Sequence, residues 1–115
     1  MSSKTGGFKD LIVYNLAYET ATEIFHLSKN FPPEEKYSLT DQIRRSSRAV
    51  CANIAEGYRK RIYPKHFTSK MTDADAETSE TLVWLDFAKD CNYIEKERNI
   101  DLTSKYDEKV GCSGA

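Results

Sequence analysis

FPPEEKYSLTDQIRRSSRAVCANIAEGY, residues 31–58, decides the fold. It opens on two prolines, sets Arg44, Arg45 and Arg48 within five positions, and closes on Asn53-Ile54-Ala55-Glu56-Gly57. Pro32-Pro33 ends any preceding helix, because proline lacks a backbone donor and pushes the residue before it out of helical geometry. A second helix is expected to follow, with Glu34 and Glu35 near its positive start, where carboxylates are favoured. Its apolar line reads Tyr37 or Leu39, Ile43, Val50, Ile54 and Tyr58, flanked by Ser46, Ser47, Ala49, Ala52 and Ala55, whose small side chains permit close helix approach. Gly57 weakens a helix interior by about 1 kcal/mol relative to alanine, so its presence implies close packing or the nearby end of the helix.

Upstream, Phe8, Leu11, Ile12, Tyr18, Ala21, Ile24, Phe25 and Leu27 recur at spacings of three and four without an internal Pro or Gly, which predicts a first helix from Phe8 to about Ser28. Val13, Tyr14, Leu16 and Ala17 widen its apolar arc beyond one stripe, and the surplus predicts contact with a second chain. Downstream, Arg59–Tyr63 is a basic turn and Pro64 suits the first position of a third helix. Phe67, Met71, Ala74, Thr78, Leu82, Leu85 and Ala88 carry that helix to about Asp90; Asn92 breaks it, and a fourth helix is expected from Glu95 to Val110. Four helical patterns on short connections predict an all-α, antiparallel up-down-up-down four-helix bundle over residues 8–110, between a tail at 1–7 and another at 111–115.

Composition narrows the function classes. The 115 residues suit one domain, and 39% hydrophobic with 30% charged residues excludes a disordered chain. No apolar run approaches the roughly 20 residues of a membrane span, and residues 1–7 carry one cation and no apolar segment, unlike a secretory signal. A cytoplasmic protein with no membrane role is the expectation. Cys51, Cys91 and Cys112, without C-x-x-C spacing, read as free thiols, Cys51 on a face that wants a small apolar group. A net charge of −1 argues against indiscriminate binding to nucleic acid.

The charges are segregated. Residues 44–65 hold seven Lys or Arg (44, 45, 48, 59, 60, 61, 65) against Glu56, whereas residues 71–90 hold six acids (73, 75, 77, 80, 86, 90) against Lys89. For straight antiparallel helices joined near residues 62 and 63, position i faces position 125 − i. That register sets Arg45 opposite Glu80 and Arg48 opposite Glu77, as ion pairs that hold the helices in step. The alternatives at these cations are an anion site at Arg44, Arg45 and Arg48, or solvated surface. Asn53 and Glu56, beside Ile54, are expected to act as structural hydrogen-bonding or subunit-contact residues. A catalytic Glu56 would need a partner within reach, and the helix offers no His, Cys or second carboxylate near it. His26 and His66 are isolated, and glycines at 6, 7, 57, 111 and 114 form no phosphate loop, so no metal, cofactor or small-molecule substrate is expected. Arg59, Lys60, Arg61 and Lys65, interleaved with Tyr58, Tyr63 and His66, have the composition of a phosphate-holding, base-stacking rim, or else of a soluble turn.

FPPEEKYSLTDQIRR (31–45), ANIAEGY (52–58) and ETSETLVWLDFAKDCNYI (77–94), in that order, resemble the bacterial 23S rRNA-intervening-sequence proteins, over roughly Phe8 to Ile94. The resemblance implies an antiparallel four-helix bundle, commonly a homopentamer around a central opening, with no established enzymatic activity. A related branch, the accessory variability proteins of diversity-generating retroelements, is similar to the same pentamer made strongly basic for nucleic acid. This chain departs from both patterns in its slightly negative charge and in a fourth helix that ends early. The expected function is a non-enzymatic oligomeric helical scaffold acting through a protein or nucleic-acid partner; the alternative is an RNA- or DNA-binding module using the basic rim at 58–66.

Overall fold

A computed structural model describes residues 7–107. They form four α-helices, α1 (Ile12–Ser28), α2 (Leu39–Arg59), α3 (Pro64–Asp90) and α4 (Lys96–Lys105), with short 3-10 turns at Phe8–Asp10 and Pro33–Glu35 and no strand among the described residues. The expected tail up to residue 6, the final turn of the fourth helix at 108–110 and the tail at 111–115 lie outside those residues.

Helix boundaries follow from local chemistry. The first helix starts at Ile12 and not at Phe8, because Phe8–Asp10 coils into a separate turn before an extended Leu11, and the Phe8 ring packs edge-on against Tyr14 with centroids 4.9 Å apart. Glu34 and Glu35 belong to the proline-initiated turn, not to the first turn of α2, which begins at Leu39. Glu35 nevertheless serves that helix: its Oε1 accepts the Leu39 N–H at 3.2 Å and the Ser38 hydroxyl at 2.7 Å. Pro64 occupies the first turn of α3, where its missing donor costs nothing. At the other end Asn92 takes φ 65°, the left-handed region that Asn tolerates. Tyr93 N–H then donates to Ala88 O at 2.8 Å and Asn92 N–H to Lys89 O at 2.9 Å, a Schellman closure that satisfies carbonyls left over at the helix end.

The α2–α3 hairpin is the frame. As α2 runs from Arg45 and Ser46 to Gly57, its partners on α3 run back from Glu80 and Thr81 to Met71, so the two helices are antiparallel and in nearly the expected register. Close packing accounts for Gly57: a β-carbon there would stand 3.2 Å from Lys70 Cβ and 3.3 Å from Met71 Sδ. Helix α1 lies antiparallel on the other side of α2, with Ser28 beside Arg44 and Phe8 beside Arg59. The core between them contains Ala17, Ile24, Ile43, Val50, Ile54, Leu85, Leu102 and Tyr106. Of the two candidates for the start of the α2 apolar line, Leu39 is buried and Tyr37 is exposed.

Helix α4 is tied to α1 by charge. Glu23 accepts from Arg98 at 2.9 Å and from Lys105 at 2.8 Å, and this bond holds the Lys105 ammonium above its ordinary pKa. The apolar surplus of α1 is partly covered within the chain: Ala17 is buried, and Val13, Tyr14 and Leu16 are half-buried against the core. The exposed apolar residues of α1 are instead Ile12 and Tyr18, at 81% and 57% exposure.

Candidate functional site

The basic turn is built by the ends of the hairpin. Lys60 N–H donates to the Glu56 and Gly57 carbonyls to close α2, Tyr63 N–H returns to Lys60 O at 2.8 Å, and Phe67 N–H to Tyr63 O opens α3. Side chains of residues 59–66 consequently point outward and are exposed. Two of the four rim cations are held by rings: Arg61 stacks 4.0 Å from the Tyr58 centroid and donates to the Tyr58 carbonyl at 2.9 Å, and Arg59 lies 5.8 Å from the Phe8 centroid. Lys60 and Lys65 project freely. None of Arg59, Lys60, Arg61 and Lys65 meets a carboxylate among the described residues.

The interhelical polar residues divide into two groups. Arg45 lies between Glu77, at 3.3 Å, and Glu80, while Trp84 Nε1 donates to the same Glu80 oxygen at 3.4 Å. Glu56 pairs with Lys70 at 3.0 Å. Arg48 is not opposite Glu77; it turns the other way, toward α1, with its guanidinium 5.5 Å from the Phe25 ring. Its position on α2, three residues beyond Arg45, carries it about 60° further round the helix and away from α3. Asn53 is half-buried, and its side chain makes no hydrogen bond among the described residues.

Around Phe25 lies a constellation that charge pairing alone does not reveal. Arg44, Lys29 and Arg48 approach the ring at 4.7, 4.9 and 5.5 Å, and Arg44 Nε also donates to Ser28 Oγ at 2.7 Å. Such cation–ring contacts are each worth about 0.5–1 kcal/mol at exposed sites. Its sequence signal is Phe25 and Lys29 at i, i+4, opposite Arg44 and Arg48 at the same spacing. Phe25 and Arg48 border an open groove of about 460 Å³ between α1 and α2, with Tyr14, Tyr18, Ala52 and Ala55 along it.

Burial pushes the Cys51 thiol up to about 11, and His26 and His66 sit against the Phe25 and Tyr63 rings. No group of three His, Cys, Asp or Glu able to hold a metal occurs among the described residues. No helix among them is long and apolar enough to cross a membrane. Cys91 is exposed, and Cys112 lies outside the described residues.

No curated protein matches the chain. Among solved structures, the chain is similar to a protein of unknown function from the S23 ribosomal protein family of Bacteroides thetaiotaomicron, at 28% identity and a TM-score of 0.77 over 87% of this chain and 88% of that one. The family model described as 23S rRNA-intervening sequence protein matches residues 9–111. With its helices, hairpin and surfaces in place, the chain belongs to the 23S rRNA-intervening sequence protein family.

Proposed function

We propose that this protein is a non-enzymatic oligomeric scaffold that works through its helical surfaces, in the cytoplasm, on a protein or nucleic-acid partner. The observation that carries the proposal is apolar surface turned away from the core: Ile12 and Tyr18 on α1, and Val83 and Phe87 on α3 at 48% and 53% exposure. Val83 and Phe87 lie one turn apart on the same face, with Trp84 packed against Phe87 at 6.2 Å between ring centroids. Clustered exposed apolar groups mark interfaces more often than isolated ones do. The buried Cys51 thiol, with its raised pKa, favours a structural role over nucleophilic work at neutral pH. Light scattering on protein eluting from a sizing column tests the proposal: an oligomer is expected, and a species at the 13.2 kDa chain mass over micromolar concentrations contradicts it.

A second activity, binding of RNA or DNA at the 58–66 rim, is supported by the four cations there that no carboxylate neutralises among the described residues. Tyr63, 54% exposed beside them, offers a ring on which a base can stack. The family's description makes ribosomal RNA the first nucleic acid to try.

A further inference from the structure

Phe25 and Arg48 border the α1–α2 groove, Lys29 and Arg44 gather on the same Phe25 ring, and none of the three cations meets a carboxylate among the described residues. A partner that fits this groove must carry apolar or small side chains along its ridge and negative charge along its flank. The groove's own side chains set that requirement: Ala52 and Ala55 leave room for a helix to approach, Tyr14 and Tyr18 supply apolar walls, and Arg48 stands at the edge.

The same chain has a surface of that kind. On α3 the buried side chains are Ala74, Thr78, Thr81, Leu85 and Ala88. The helical period puts Thr72, Ala76, Ser79 and Val83 on the opposite side, and all four are exposed. In a chain that is 30% charged, this stripe holds no charge at all. Asp73 and Asp75 flank it, about 80° to either side, and neither has a cationic partner among the described residues. Unpaired cations on one surface and unpaired carboxylates on another are complementary, and complementary potential sets register and partner choice.

We infer that the α1–α2 groove of one copy receives the outer stripe of α3 from a second copy, with Arg48 meeting Asp73 or Asp75 across the junction. Groove and stripe are different surfaces, so one such contact is heterologous, and repeated from copy to copy it closes into a ring or runs on as a filament. Heights agree for a ring. A rotation axis parallel to the hairpin carries every residue to its own level, and the contacts of Ser46 with Thr81 and of Gly57 with Lys70 put Arg48 at the level of about residue 79 and Ala52 at that of about residue 75. Arg48 is then about one helical turn from Asp75 and under two from Asp73. This assignment rests on the oligomeric scaffold proposed above and names its joint.

Charge reversal tests it. Light scattering is run on wild type, Arg48→Glu, and Arg48→Glu combined with Asp73→Arg or with Asp75→Arg, with helix content checked by circular dichroism. Arg48→Glu is expected to raise the concentration of half-dissociation about tenfold or more, a size expected when one member of a charge pair is removed from an interface, and one of the double variants is expected to recover at least half of that loss. A monomeric wild type overturns both the scaffold and this joint. An oligomer that Arg48→Glu leaves intact, or that neither double variant restores, overturns the joint alone. A second measurement does not depend on charge: in a Cys91→Ser, Cys112→Ser background, Ala52→Cys with Ala76→Cys is expected to give covalent ladders on mild oxidation, and monomers alone would contradict the joint.

Discussion

The Ser46 hydroxyl on α2 lies 2.7 Å from the Thr81 hydroxyl on α3, both groups buried. Thr81 also reaches the Glu77 carbonyl at 2.8 Å, so this polar contact is locked to the α3 backbone at the centre of the hairpin. Thr81→Val keeps the shape and removes the partner, leaving Ser46 with only a long 3.5 Å contact to Ile43 O. Stranding a buried hydroxyl costs about 1–3 kcal/mol. Urea unfolding is expected to show a loss in that range for Thr81→Val and a smaller one for Ser46→Ala with Thr81→Val, where both polar groups are gone. Equal stability of the single variant and wild type would show that the bond contributes nothing net.

Acid should loosen the start of α2. The Ser38 hydroxyl, the Tyr93 hydroxyl at 3.0 Å and the Leu39 N–H all donate to Glu35, and together they hold its carboxyl below its ordinary value of 4.5. The same carboxylate pushes the Tyr93 phenol up to about 12. A carboxyl with a lowered folded pKa stabilises fully above its unfolded value, and the contribution is lost as pH falls through the folded one. Glu35→Gln is therefore expected to cost about 1 kcal/mol at pH 7, the usual size of a helix-cap interaction, with the gap to wild type narrowing as pH drops below 4.5. Thermal melts across pH 3–7 read this out, and a gap that stays constant would contradict it.

The hairpin was legible in the sequence because its information is local and periodic. Pro64, the three- and four-residue spacing and the segregated charges place α2, α3 and the Arg45–Glu80 contact. Arg48 does not stand opposite Glu77 because a ring on α1 competes for the guanidinium, a contact that the spacing of charges on α2 and α3 does not carry. Helix α1 packs on α2, on α4 and on the Phe8 turn, so Val13, Tyr14 and Leu16 are partly covered within the chain, while Tyr14 also borders the α1–α2 groove. The start of α2 depends on which backbone donors Glu35 captures, a choice that composition does not encode. Function was less legible than fold, since an interaction surface is defined by what remains unpaired after folding.

If the 58–66 rim binds nucleic acid, the interaction will be electrostatic and salt-sensitive. Arg59→Ala, Lys60→Ala and Arg61→Ala together remove three of its four cations. Titration of labelled ribosomal RNA fragments at 50 and 200 mM salt is expected to show wild-type affinity falling steeply, as counterion release requires, and the triple variant binding more weakly with a shallower salt slope. Indistinguishable curves for the two proteins would remove the rim from consideration.

Native mass spectrometry of the wild-type chain tests the central claim most directly, because it counts subunits. A scaffold joined by different surfaces on neighbouring copies is expected to give one closed stoichiometry, five by analogy with the pentamers implied by the resemblance, each subunit contributing 13.2 kDa. A spectrum containing only the single chain at micromolar concentration, in a buffer that preserves its helix content, would contradict the account.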